Sequence, residues 1–496
     1  MSAADPIKVY DARWEVKEFS DEQVRRLFEA TLIYGRELGM EALVLWRDAR
    51  LGAGRVMEIG LAEARRQGLR IFLRPEPIST PQGYYTALHV SQKFRKTVGL
   101  GITASHNPAE YIGIKFVVPV VQAIGLDCGP AGGLTRVREI YHSLAKAPAS
   151  AGATLDMPDL ADEYIQFSLE QAGVTPGSLT GISVVLDTFH GSAGPELYRA
   201  LTIAGVRIEP RRLIPDGHFP SGSPNPTSQG KMNAAIALAA ETNCQAVLGI
   251  DGDGDRIVFG DRRGILTAGF AFVPILKACL AGLSGKKTPV LYDPKVSPLA
   301  LAEWSKLGAR PVLFRNGHSQ IKDYMTQITA LAAAEESGHY YHRITMGDLT
   351  ISGENSAITV LLFLAALKQN PSLLDNLWAM ERKIFTTGEF NYQFPDDKIR
   401  DAALAAVVAH FDADGAAKAT ATPDGIDLQG TCLSRGVDLE TGKLDAGWYS
   451  GYLRVATNEK GVVRSYFSAA DGEAGKRVEK DTRGILEGTF GGRVIE

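Results

Sequence analysis

Cysteine is scarce in this chain of 496 residues: Cys128, Cys244, Cys279 and Cys432 are the only four. They stand far apart and have neither metal-knuckle nor redox spacing, so a reducing cytoplasm is the simplest setting. Charge of one sign is missing as well. The formal net charge is −4, 22% of residues are charged and neither sign forms a long run, which gives nucleic acid or an anionic membrane no handle. Long hydrophobic runs are absent too. The longest, around Val360-Leu-Leu-Phe-Leu-Ala-Ala-Leu367, is too short to span a bilayer and fits a buried helix better. The N-terminus reads Met1-Ser-Ala-Ala-Asp-Pro6, without a basic region followed by an apolar stretch, so no secretory signal is expected.

What is present is enough chain for three or four domains with clefts between them. Asp21 to Leu38 has helical spacing with an acidic start, and Ala42-Leu-Val-Leu-Trp46 reads as a short buried strand. It runs into Arg47-Asp48-Ala49-Arg50. Charges just beyond an apolar strand often face a ligand, because α/β sheets bind at the carboxyl ends of their strands; a solvated turn is the alternative. Val56–Gln67 reads as a helix, Arg70–Leu73 as a strand, and Ser79-Thr80-Pro81 as a turn. This alternation is that of a doubly wound domain. Val98–Thr103 is a strand that leads into a serine loop, and the glycine-rich stretch after Phe116, through Gly133, reads as an elaborated excursion.

A boundary is placed near residue 155, giving a first domain over 1–154. Gly181–Asp187 then opens a second strand–turn–helix unit, assigned to 155–264, in which Gln245–Ile250 is a strand that delivers an aspartate loop. A third unit over 265–385 contains strands at Pro289–Tyr292 and Arg310–Phe314 separated by a helix. The last segment, 386–496, has turns and short strands of its own. The expected fold is therefore α/β, with three similar mixed domains and a smaller α+β C-terminal domain around a central cleft.

Two motifs carry chemistry. In Asp251-Gly252-Asp253-Gly254-Asp255-Arg256, carboxylates at alternating positions converge if the backbone curls tightly, and the two glycines permit the curl. Hard oxygen ligands suit magnesium. A calcium-binding helix–loop–helix would need glycine at the sixth position and an acidic residue at the twelfth, but Arg256 and Arg262 stand there. A purely structural acidic turn is the other alternative. The second motif, Gly101-Ile-Thr-Ala-Ser105-His-Asn-Pro108, sets a hydroxyl in a turn. Alone, Ser105 would be a capping or turn serine. A hydrolase triad is poorly supported, since there is no Gly-Xaa-Ser-Xaa-Gly elbow.

In order, Thr103–Pro108 with Tyr111-Ile-Gly-Ile-Lys115, Asp251–Arg256, Asn316-Gly-His-Ser-Gln-Ile-Lys322 and Glu335-Glu-Ser-Gly-His339 resemble the motifs of the α-D-phosphohexomutases, closest to the phosphomannomutase/phosphoglucomutase branch. The likeness runs from Tyr10 to about residue 370 and weakens afterwards. It implies an isomerase that carries phosphoserine at Ser105, with Ser105, Asp251, Asp253 and Asp255 around one magnesium ion. The serine phosphoryl would pass to a hexose 1- or 6-phosphate, and the bisphosphorylated sugar would turn over and return its other phosphate. Hexose 1,6-bisphosphate is then the expected activator. Arg256 would neutralise phosphoryl oxygens in a loose transition state.

Lys115, His106 and Arg13 match active-site positions of the family. For Lys115, proton transfer and a purely electrostatic phosphate contact both stay open, and the base role needs neighbouring cations and burial to lower its pKa. Glu335 and Ser337 fall on the sugar-recognition loop, and His318, Lys322 and His339 are further candidates for the sugar and phosphate ends. Partners expected are small sugar phosphates, with the chain a cytoplasmic monomer or homodimer.

Two departures stand out. Ala334 replaces the glycine usual before Glu335, and the fourth-domain phosphate loop, normally Arg-Xaa-Ser-Asn/Gly-Thr-Xaa-Pro, is matched only by Arg454-Val-Ala-Thr-Asn-Glu-Lys460. Arg454, Thr457 and Asn458 would bind phosphate there, opposed by Glu459. The rivals are a phosphoglucosamine mutase, against which Thr103 argues, a sugar-bisphosphate synthase, and a non-catalytic sugar-phosphate-binding paralogue.

Overall fold

A computed structural model describes residues 5–143, 145–283, 287–456 and 459–495. The chain forms two compact units. The first takes it to Ile265, then Gly317–Ala332 and Ser337–Pro371; the second takes Leu266–Asn316, Ala333–Glu336 and the chain from Ser372.

The first unit contains two mixed sheets. In one, Ala42–Arg47 lies parallel to Arg70–Pro77 on one side and to Thr97–Ile102 on the other, and Tyr111–Val118 and Ala12–Glu15 continue it antiparallel. All six residues of Thr97–Ile102 are buried, as expected of a parallel strand covered on both faces. In the other, Ser183–Asp187 lies parallel to Arg207–Arg211 and to Ala246–Ile250, and the antiparallel Ile257–Asp261 follows. Both sheets thus end a central buried strand at a motif loop. A hairpin of Tyr340–Met346 and Leu349–Glu354 also belongs to this unit, followed by helix Ser356–Gln369, whose apolar run is buried. Among the described residues, no single helix is long and apolar enough to cross a membrane.

Several expectations need correction here. Ser79-Thr80-Pro81 is not a free turn but the start of helix Thr80–Ser91: Ser79 Oγ accepts the Gln82 N–H and Pro81 sits in the first turn. The stretch after Phe116 is partly regular, with a short strand at Gln122–Ala123 and a helix at Gly133–Ser143. Trp46, almost wholly buried, fills a slot made by missing side chains. A Cβ at Gly83 or Gly101 would meet the indole at 2.2 and 2.4 Å, so only glycine lets the sheet and its covering helix close on that ring.

The second unit contains the parallel pair Thr288–Tyr292 and Ala309–Leu313, joined by helix Pro298–Lys306, and an antiparallel sheet of six strands. That sheet has the expected short strands at Ala417–Ala421 and Arg493–Ile495, but also two long ones. Asp427–Asp438 and Lys443–Val455 span 12 and 13 residues, and bulges interrupt their register. Broken alternation hides such strands in the sequence. Helices Asp397–Ala413 and Gly472–Arg483 pack on the sheet through Val407, Phe411 and Val478.

Candidate active site

The serine loop leaves the buried strand Thr97–Ile102. Ser105 has φ +52°, left-handed and uncommon for a residue with a Cβ. Its own N–H donates to Thr103 Oγ1 at 2.8 Å, and its side-chain Oγ donates to Asp251 Oδ2 at 3.0 Å and lies 3.3 Å from His106 Nδ1. The loop is shaped from beneath by Arg50. This guanidinium, fully buried, donates to the carbonyls of Ser105, Asn107, Pro108 and Tyr111 at 2.6–3.0 Å and pairs with Asp48 at 3.2 Å. The solvated-turn alternative for Arg47–Arg50 does not describe Arg50, which is buried and holds the loop. Arg13 reaches the same loop, donating to Asn107 Oδ1 at 2.7 Å while pairing with Asp11.

Opposite lies the aspartate loop. Asp251 Oδ1 accepts three backbone N–H groups, from Gly254, Asp255 and Arg256, at 3.0–3.1 Å, so this side chain folds its own loop as well as facing the serine. Gly254 has φ +77°, and a Cβ at Gly252 would meet the Ser105 carbonyl oxygen at 2.6 Å. The two loops touch backbone to backbone there, and glycine is required. Thr80 anchors the loop from the side: its N–H donates to Asp253 O at 2.8 Å and its Oγ1 to Asp253 Oδ2 at 2.6 Å.

One carboxylate oxygen from each of Asp251, Asp253 and Asp255 can be chosen so that all lie within 4.8 Å of one another. Asp253 Oδ1 and Asp255 Oδ1 are buried without a hydrogen-bond partner. Converging, desolvated, acceptor-only oxygens are what a hard divalent cation takes and what a hydrogen-bonded structural turn would not leave behind. The donor set therefore fits magnesium.

Lys115 is wholly buried, with Nζ 2.7 Å from Asp253 Oδ2 and paired with Asp255. Burial acts to strip its proton, but the charges of Asp253 and Asp255 outweigh burial and hold its pKa well above the ordinary value. Carboxylates rather than cations surround the ammonium. Among the aspartates, burial together with the neighbouring charges of Asp255 and Asp253 pushes Asp251 well up. His106 is driven the other way, kept neutral by burial and by the charges of Arg256 and Arg13.

Two further histidines named as site candidates, His318 and His339, are buried in this unit. Arg256 Nε donates to His339 Nε2 at 3.0 Å, so Nε2 is the acceptor and the imidazole proton sits on Nδ1. That Nδ1 lies 3.8 Å from Asp255 Oδ1 and 3.7 Å from Glu354 Oε1. Asp255, His339 and Glu354 converge closely enough for a metal, but a nitrogen bearing a proton cannot ligate one, and the aspartate triad is the better cation site. Lys322 Nζ donates to Glu354 Oε2 at 2.9 Å and to Tyr84 Oη at 3.1 Å. His318 meets Tyr10 edge-on. The Nε2 of His318, the Oγ of Ser337, the Nδ1 of His339 and the Oε1 of Glu354 are all buried without hydrogen-bond partners. Together with the two aspartate oxygens, these polar atoms mark a place built to receive a polar ligand.

The other site candidates lie in the second unit. Glu335, buried at the end of strand Ala332–Ala334, accepts from Asn316 Nδ2 at 3.4 Å, and the same amide donates to Asp293 Oδ2 at 2.5 Å. Arg454 is directly opposite Arg464 on the neighbouring strand. Glu389, between Lys295 and Arg464, is kept below its usual range against burial by Lys295, Arg454 and Arg464. Glu459 pairs with Arg464 at 2.6 Å. Thr457 and Asn458 lie outside the described residues.

Arg50, Thr80 and Glu354 escaped the sequence reading. A carboxyl-end position flagged Arg50, but nothing local separates an arginine that serves carbonyls from one that serves a ligand. Thr80 was legible only as part of a turn, and Glu354 ends the second strand of a hairpin without any motif.

A hydroxyl, a carboxylate triad and cations gathered at the ends of parallel strands define a phosphate-handling enzyme class. The comparisons give the family. The chain matches the phosphoglucomutase/phosphomannomutase alpha/beta/alpha domain I over residues 6–125, domain II over 162–264 and domain III over 272–383. It belongs to that family.

It is similar to a protein of Xanthomonas campestris pv. campestris named phosphohexose mutases, at 29% identity over 82% of this chain and 86% of that one. It is also similar to a phosphomannomutase of Salmonella montevideo, at 27% identity over 85% and 89%. Among solved structures, a phosphoglucomutase/phosphomannomutase family protein of Burkholderia thailandensis has the same fold, with a TM-score of 0.81, 22% identity and 98% of each chain covered. The family implies mutase activity.

Proposed function

We propose that this protein interconverts the 1- and 6-phosphates of a hexose, glucose or mannose, through a phosphoserine at Ser105 and a bisphosphorylated sugar. The observation that carries the reading is the Ser105 Oγ–Asp251 Oδ2 contact at 3.0 Å, which places the hydroxyl against the carboxylate triad. In the forward half-reaction the P–Oγ bond of phosphoserine breaks as a bond forms from phosphorus to a sugar hydroxyl oxygen. The proton lost by that hydroxyl ends on Ser105 Oγ, and the second half reverses these changes with the other sugar oxygen.

Lys115, adjacent to the triad, serves proton transfer or neutralisation of phosphoryl charge. Asp251, Asp253, Asp255 and Ser105 would hold a magnesium ion, which would supply charge neutralisation for the phosphoryl oxygens. Arg256 and His339 are coupled, so a sugar phosphate meeting the one repositions the other. Glu335 and Ser337 serve sugar hydroxyls, and Arg454 the distal phosphate. Hexose 1,6-bisphosphate would load Ser105 and act as activator.

The test is turnover of glucose 1-phosphate and mannose 1-phosphate with magnesium and a trace of hexose 1,6-bisphosphate, for the wild type and Ser105→Ala. Wild-type turnover with a loss of several orders of magnitude in the variant supports the phosphoserine route, and the ratio of the two rates gives sugar preference. Turnover of neither sugar sinks this reading in favour of a binding paralogue or a glucosamine-phosphate substrate.

A further inference from the structure

A cavity of about 430 Å3 opens in the first unit behind the aspartate loop, lined by Arg74, Ile78, Pro158, Ile165, Glu196 and Arg199 among others. Arg74 is 5% exposed, yet its hydrogen bonding is limited to one donation to Thr86 Oγ1 at 3.3 Å. Its nearest carboxylate, Asp159, is 3.8 Å away on a side chain 91% exposed. The other donors of this guanidinium open into the cavity, where only an exposed carboxylate offsets their charge, so an anion bound there would find a partly compensated cation. Glu196 does not add to that compensation: it is buried against Ser79, whose Oγ donates to it at 2.5 Å. Burial pushes its carboxyl up to about 8, so at neutral pH it is an uncharged acid and a donor. The remaining walls carry the apolar Pro77, Ile78, Pro158 and Ile165 together with the polar Glu76, Gln82, Asp159 and Ser192.

The geometry points to a binding pocket for a small organic carboxylate with a compact apolar body, its charge on Arg74 and its body against Ile78, Pro158 and Ile165, with Arg199 at the rim. A metal ion is repelled by Arg74. The pocket has a route to the aspartate loop. Ser79 contacts Glu196, and the next residue, Thr80, holds Asp253 through both its N–H and its Oγ1. An occupant that moves Glu196 shifts that grip, so carboxylate binding and divalent-cation binding at the triad are coupled, each changing the other's affinity by the same factor. Only this coupling rests on the triad being the metal site.

Calorimetric titration of the full-length protein with benzoate tests the pocket. Expected are saturable binding, undisturbed by saturating glucose 1-phosphate, and affinity weakened about tenfold or more in Arg74→Met. If Arg74→Met does not fold, Arg74→Lys and the rim variant Arg199→Glu replace it, and both should weaken binding. Absence of saturable binding to the wild type, equal affinity in the arginine variants, or displacement by glucose 1-phosphate overturns the assignment. Mn2+ titration followed by electron paramagnetic resonance reads the coupling, which requires a changed Mn2+ affinity in benzoate. An unchanged affinity overturns the coupling alone.

Discussion

The aspartate-loop site of the first unit and the surroundings of Arg454 in the second handle charge in opposite ways. In the first, Lys115, the three aspartates, Lys322 and Glu354 are almost completely buried, each ion within reach of one of opposite sign. In the second, Arg454 and Arg464 stand side by side on adjacent strands, and Arg464 with its partners Glu389 and Glu459 remains 25–48% exposed at the side chain. Buried ions interact strongly and tolerate no vacancy, whereas exposed ones are screened and replaceable. The first arrangement suits chemistry that depends on fixed charge, and the second suits gripping and releasing an anion.

Lys115→Met should break the first arrangement most severely. It leaves Asp253 and Asp255 without their cation, a change that costs about 3–5 kcal/mol when a buried ion pair loses one partner. Thermal melts in chelator should show the loss, and magnesium should restore the variant by more than it stabilises the wild type. Equal magnesium stabilisation of both would mean that Lys115 does not compensate those carboxylates.

A smaller effect of opposite sign is expected at Glu196. Its folded-state carboxyl is raised to about 8, so the folded protein keeps a proton that the unfolded chain releases. Its burial costs nothing below the ordinary carboxylate range, and the cost grows as pH climbs from there to about 8. Glu196→Gln should therefore gain stability relative to the wild type across that window; a flat difference between their melts would contradict this.

The mildest change is Arg464→Gln in the second unit. If its arginines grip a phosphate, KM for hexose phosphate rises several-fold and kcat stays near the wild-type value. A collapse of kcat would erase the distinction between the units.

The sequence reading reached the first unit's site because its residues sit in contiguous motifs, and a strand running into Asp251–Arg256 or into Ser105 predicts where the side chains go. It failed where an element's role depends on distant partners. Arg50 serves carbonyls as far along the chain as Tyr111, and helix Thr80–Ser91 hid because the turn signal at Ser79–Pro81 is equally a helix start. In the second unit the pairing of Arg454 with Arg464 is a matter of strand register, which bulges obscure. The Arg256 donation that fixes the His339 tautomer joins residues remote in sequence.

The left-handed backbone at Ser105 also acts as a filter on which replacements report on chemistry alone. Alanine removes the hydroxyl but keeps a Cβ at φ +52°, so part of any deficit could come from a loop that relaxes away from Arg50 and Gly252. Glycine removes the same hydroxyl and is at ease in that conformation. A matched pair of Ser105→Ala and Ser105→Gly therefore divides the missing nucleophile from the distorted loop: whatever activity separates the two belongs to backbone shape, and whatever both lose belongs to the oxygen.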